Sequence, residues 1–159
     1  MAHCRVARWA ALLLLMLPLL AGGVAEPAEA MLHETMTLIT SRGERTIEVE
    51  ITENDSERAR GLMFRTHLAD TAGMLFFYDR PQDITMWMKN TYIPLDMVFI
   101  RADGTVHRIE AYTEPFSLAT ISSEGDVVAC LELAGGAAAR LGLKPGDRIA
   151  HRYFKPPTR

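Results

Sequence analysis

Cysteine is scarce in this chain: two in 159 residues. Cys4 lies in an N-terminal stretch that reads as an export signal, so Cys130 is left alone. No internal disulfide can then form, and stability has to come from the core. Basic runs are lacking as well. The formal charge is −3, and without clustered Lys and Arg there is no footprint of a nucleic-acid binder or of a protein drawn to an anionic membrane. No Gly-rich phosphate loop, Gly-x-Ser-x-Gly elbow, His-Glu-x-x-His pair or cluster of acids is present. The sequence therefore carries no signature of phosphate cradling, serine hydrolysis, zinc or calcium, and implies no metal and no cofactor.

The N-terminus carries His3, Arg5 and Arg8, then an apolar run from Trp9 to Leu20 broken by Pro18. The run is well short of the ~20 apolar residues of a spanning helix. Gly23-Val24-Ala25 supplies small residues for cleavage, which places the cut after Ala25, with Ala28-Glu29-Ala30 as a second site. Residues 1–25 are thus expected to be a cleaved signal and the mature protein to be periplasmic or extracellular, with no membrane span. Their loss removes two Arg and no acid, which takes the charge from −3 to −5. The remaining length suits one domain. Residues 26–36 read as a flexible leader, 37–154 as a single β-rich domain and 155–159 as a tail.

Ile47, Val49 and Ile51 alternate with Glu48 and Glu50, the period of a half-buried strand, and Ser41-Arg42-Gly43-Glu44 joins it to Thr37–Thr40 as a hairpin. Asn54, Asp55 and Ser56 offer caps for a short helix over 57–60, with Gly61 as its left-handed stop. Further strands are expected over 74–78, 84–89, 95–100, 105–112, 127–133 and 148–154, with 79–83 a turn. A second short helix is expected over 137–141, ended by Gly142. Tight turns rather than helical crossovers favour a mainly β fold: a compact antiparallel β-barrel or rolled sheet with two short helices.

Met86 to Ile100 packs Trp, Met and a long apolar run around Lys89, Asn90, Thr91 and Asp96. Folding back at 90–94 brings Lys89 towards Asp96, so this set either braces a turn with an ion pair or lines a site. As a site, Lys89, Asn90 and Thr91 offer a cation, an amide and a hydroxyl beside the flat wall of Trp87, a mixture suited to a small polar or anionic ligand. Arg65 could clamp a carboxylate or phosphate, unless it pairs with Asp70 or Glu132. Glu132 interrupts the apolar run Val127–Leu133, and a carboxylate there is either paired or at a pocket wall. Asp96 and Glu132 could also form an acid–base pair of an enzyme. Met63, Met74, Met86, Met88 and Met97 raise Cu(I) handling as an alternative, although the histidines are scattered and Met commonly fills cores. Cys130 reads as a small buried hydrophobe.

The order of five blocks resembles the family known as domain of unknown function 192. These are Arg60–Arg65, Gly73–Phe76, Met86–Thr91 with Ile93–Asp96, Cys130–Leu133 and Gly142–Asp147. The resemblance spans roughly Thr37 to Arg152 and implies an exported, compact, mostly β domain; it brings no activity with it. Position 134, where the family often has Pro or Asn before a helix entry, is Ala here, which implies a weaker cap. The expected function is binding of a small polar or anionic, envelope-derived ligand by Arg65, Trp87, Lys89, Asn90 and Thr91, with Asp96 and Glu132 orienting the contacts. An interaction module docking on another envelope protein is the further alternative, and would be marked by an exposed aromatic patch.

Overall fold

The period of two in Ile47, Val49 and Ile51 seals these side chains at 1%, 0% and 1% exposure, while Glu48 faces water. The computed structural model describes Met1 and residues 31–155; the rest of the expected signal, residues 26–30 and the last four residues lie outside it. Seven strands and two short helices follow in the order β1 (Leu32–Thr40), β2 (Gly43–Thr52), α1 (Asp55–Arg60), β3 (Ala72–Met86), β4 (Leu95–Ile100), β5 (Val106–Glu110), β6 (Ile121–Ala134), α2 (Ala137–Leu141) and β7 (Arg148–Ala150). They make one sheet ordered β5-β4-β6-β3-β2-β1-β7. It curls until its two edges touch: Thr105 bridges Arg148, and Ile149 N–H donates to Gly104 O at 2.8 Å. The rolled sheet read from the turns is thus present. No helix among the described residues is long and apolar enough to cross a membrane.

Several boundaries differ from the sequence reading, each for a local reason. β1 begins at Leu32, inside the expected leader, because β2 holds it by a continuous ladder from Leu32↔Ile51 to Thr40↔Gly43. The expected turn at 79–83 lies within β3. Pro81 is tolerated there because the register with β6 slips between Phe77 and Gln82, so its missing N–H breaks no regular ladder bond. β6 starts at Ile121 rather than Val127, passing a bulge where Gly125 has φ 152°. The strand expected over 84–89 stops at Met86, and the last strand stops at Ala150. The tight-turn rule also fails once: β2 and β3 are parallel, joined by a crossover through α1.

The sheet is apolar on both faces. One face gathers residues of all seven strands, including Leu38, Ile47, Leu75, Val98, Val106, Leu131 and Ile149, and fills the inside of the curl. The other carries Met74, Phe76, Leu95, Met97, Phe99, Val127 and Cys130 and is covered by Leu62 and Met88 from flanking segments. β4 shows the consequence: all six of its residues are buried, because neighbours on the strand point alternately into the two cores. Met74, Met88 and Met97 are fully buried filling, and the Met88 sulfur accepts from the Thr113 hydroxyl at 3.1 Å. Cys130 is sealed between the Phe76 and Phe99 strand positions, and burial pushes its thiol well above the usual range.

Asp96, on the inner face of β4, does not pair with Lys89. Its carboxylate accepts from the backbone N–H groups of Tyr112 at 3.0 Å, Gly136 at 2.8 Å and Ala138 at 2.9 Å. Gly136 at the start of α2 has φ 78° and no side-chain cap of its own, so Asp96 caps that helix from across the fold and offsets the missing cap expected from Ala134. Gly136 is constrained in turn: a Cβ there would lie 2.4 Å from the Tyr112 hydroxyl. Asp96→Asn keeps one acceptor oxygen and turns an amide donor towards other donors. It should cost about 2–4 kcal/mol in urea unfolding, and a loss below about 0.5 kcal/mol would show that the carboxylate does not hold α2 in place.

Candidate functional site

Glu132 lies on β6 directly opposite Met74 of β3 and Met97 of β4. That placement puts its side chain into the outer apolar cluster. It is 4% exposed, and no described residue forms a hydrogen bond or ion pair with its carboxyl group. Burial alone raises the group from 4.5 to about 8. At neutral pH Glu132 is therefore a carboxylic acid, with one O–H to donate and oxygens to accept. An unpartnered polar group in a dry cluster is costly unless something else meets it.

What Glu132 meets is a cleft of about 100 Å³ in the outer face. Tyr78 and Thr85 line it from β3, Arg58 and Gly61 from α1 and its end, and Trp87 and Lys89 from the segment after β3. Asn54 starts α1 by accepting from Glu57 N–H at 2.9 Å. Gly61 then turns the chain with φ 48°, and a Cβ on it would lie 3.1 Å from the Phe76 ring, so a larger residue would press into the cleft wall. Arg58 pairs with Asp55 at 2.6 Å and lies 5.8 Å from the Tyr78 ring centre. Burial is the main cause that raises the Tyr78 hydroxyl above its ordinary value. Lys89 stands 5.0 Å over the Trp87 ring. Among the described residues neither Lys89 nor Arg60, which also lines the cleft, is in an ion pair. The cleft is cationic at its rim, aromatic on one wall and closed at its floor by a neutral acid.

Four of the seven residues expected at a site line this cleft: Trp87, Lys89, Thr91 and Glu132. Asn90 forms the turn behind it, at φ 54°, with its carbonyl accepting from Phe64 N–H at 2.9 Å and its amide donating to the Met63 sulfur at 3.8 Å. Thr91 braces the same turn by donating to Lys89 O at 3.2 Å. Arg65 is diverted. Both of its terminal nitrogens bond Glu50, one at 2.6 Å, instead of Asp70 or Glu132, and it borders a neighbouring hollow. Asp96 faces the inner core; its strand partner is Leu133, whereas Glu132 is opposite Met97. Adjacent strand positions point to opposite faces, so an Asp96–Glu132 acid–base pair cannot form across the sheet. Arg58 and Tyr78 were missed. Tyr78 shares the Met74–Phe76 face of its strand, a parity visible in the sequence, but the pairing of that face with Glu132 is not.

The buried acid has a measurable consequence. Its folded value lies above its unfolded value, so the native protein holds the proton where the unfolded chain has lost it. This contribution to stability is complete below about pH 4.5 and is lost as pH rises through about 8. Glu132→Gln, which keeps the shape and cannot ionise, should match the parent near pH 4 and exceed it by on the order of 2–4 kcal/mol at pH 9 in urea unfolding. A gap between parent and variant that does not change with pH would contradict a buried neutral Glu132.

Residues 37–151 match the sequence model of DUF192, described as "Uncharacterized ACR". No curated protein matches the chain. A proposed transcription regulator from Sinorhizobium meliloti 1021 is similar at 43% identity and a TM-score of 0.74, covering 76% of this chain and 95% of that one. A protein of unknown function from Novosphingobium aromaticivorans DSM 12444 is similar at 38% identity and a TM-score of 0.74, covering 79% of this chain and 90% of that one. The match runs from β1 through β7 and includes Lys89, Asp96 and Glu132, and by it the chain belongs to the uncharacterised DUF192 family.

Proposed function

We propose that this is an exported protein, periplasmic or extracellular, whose outer cleft binds a small polar ligand through an anionic group. The observation that carries the reading is the unpartnered Glu132 carboxyl at the floor of a cleft with Lys89 and Arg60 at its rim. A neutral acid can donate to a carboxylate or phosphate oxygen that an ionised one would repel. The two cations supply the charge, and Trp87 supplies a flat wall. About 100 Å³ is below the usual size of a site for a drug-sized molecule, so the cleft takes a head group rather than a whole ligand. The regulatory description of the Sinorhizobium relative is not carried over, since the balance of 17 basic to 20 acidic residues gives no phosphate-binding excess.

A second reading, an envelope interaction module, is favoured by the exposed rings of Phe64, Trp87, Tyr92 and Phe116.

Two experiments test the first reading. In a thermal-shift screen of small carboxylates, phosphates and their neutral analogues, the anions should raise the melting temperature of the parent, and Lys89→Met should remove that rise while leaving the melting temperature without ligand within about 2 °C. Absence of any shift in the parent, or an equal shift in Lys89→Met, would reject the cleft. For export, mass spectrometry of the protein from the producing cells should give a chain that starts at Glu26; a chain that retains residues 1–25 would contradict cleavage after Ala25.

A further inference from the structure

Phe64, Tyr92 and Phe116 come from three separate segments and are 54%, 43% and 57% exposed. Their rings nevertheless form one row. Phe64 meets Tyr92 edge-on, with centroids 6.0 Å apart and planes at 86°, and Tyr92 meets Phe116 at 5.3 Å and 34°. The backbone beneath is laced together: Phe64 N–H donates to Asn90 O at 2.9 Å, Phe116 N–H to Thr91 O at 3.2 Å and Met88 N–H to Ser117 O at 3.0 Å. Phe64 and Phe116 sit at φ 66° and 63°, left-handed backbone that a bulky side chain disfavours. The fold thus accepts strain at two residues whose rings are left largely in water and add little to the core. Strain retained without burial points to a surface kept for contact.

The row continues into the cleft. Phe64 follows Met63 and Tyr92 follows Thr91, both lining residues. Arg60, Gly61 and Met63 also belong to a second hollow of about 590 Å³ that runs under Phe64. Cleft and hollow therefore adjoin, sharing Arg60, Gly61 and Met63 as a common wall. The ring planes change direction along the row, by 86° between Phe64 and Tyr92 and by 34° between Tyr92 and Phe116, so apolar side chains of a bound chain can be met from more than one direction. The uncommitted charges at the rim, Lys89 and Arg60, are complementary to an acid.

We propose that this face docks an extended peptide segment of a partner protein, with apolar side chains set against Phe64, Tyr92 and Phe116 and one carboxylate entering the cleft towards Lys89 and Glu132. This deepens the ligand reading above, since the cleft it uses is the same. The carboxylate is an Asp or Glu side chain or a free C-terminus.

The test is selection of displayed random peptides of about twelve residues on the full-length protein, followed by fluorescence anisotropy of the leading peptide. Enriched peptides should combine a carboxylate with apolar residues. Replacement of that acid by its amide, or amidation of the C-terminus, should weaken binding about tenfold and shows which source is used. Phe64→Gly and Phe116→Gly should each weaken binding several-fold while raising the melting temperature, because glycine relieves the left-handed backbone. Loss of stability in both glycine variants with binding intact would overturn the proposal by making the rings structural. Enrichment of peptides without acids, or equal binding of vesicles of zwitterionic lipid, would also overturn it. Small anions that stabilise the parent through Lys89 while no peptide binds would sink the peptide alone and leave the cleft reading standing. Failure of both would sink both.

Discussion

A sheet that is dry on both sides has no place for a carboxyl group that lacks a partner, and this fold buries two carboxyl groups, Asp96 and Glu132, on neighbouring strands. Each meets the constraint differently. Asp96 points into the curl and is surrounded by three backbone N–H donors, so its charge is held by the chain itself. Glu132 points outwards among methionines and aromatic rings, receives no donor and keeps its proton instead. The strand register decides which acid meets backbone donors and which faces the cleft. A slip of one residue in β6 would exchange the two faces.

The surroundings follow from that register. The outer cluster must be covered, and the cover is made of irregular segments: the end of α1 through Leu62, the turn at Met88 to Leu95 and the run near Phe116. Irregular backbone needs its own hydrogen bonds. These are found between the segments, from Phe64 to Asn90 and from Phe116 to Thr91, and the cover they tie together leaves the cleft over Glu132. The side chains around the gap divide the work, with cations at the rim, an indole on the wall and an acid proton at the floor.

Much of the fold could be read from the order of residues. Alternation in 47–51, the caps around 54–61 and the small-residue helix at 137–141 all rest on neighbours in sequence. The failures share a different cause. Leu32–Met36 are strand residues because β2 holds them, Pro81 is accommodated where the register with β6 slips, and Arg65 is spent on Glu50 because β2 lies beside the end of α1. None of these contacts is local. The cleft shows the same division. Trp87, Lys89, Thr91 and Glu132 stood out as polar or aromatic groups within apolar runs, yet their separation from Asp96 depends on face, which needs the pairing of β4 with β6. The aromatic row was invisible as a unit, since Phe64, Tyr92 and Phe116 are isolated in sequence and join only through tertiary contacts between their segments.

The account turns on a neutral acid facing solvent through a narrow opening. Titration of the Glu132 side-chain carboxyl carbon by NMR in selectively labelled protein reads it directly. A midpoint near pH 8 that moves when an anion enters the cleft is the expected result; a midpoint near pH 4.5, indifferent to added anions, would contradict it.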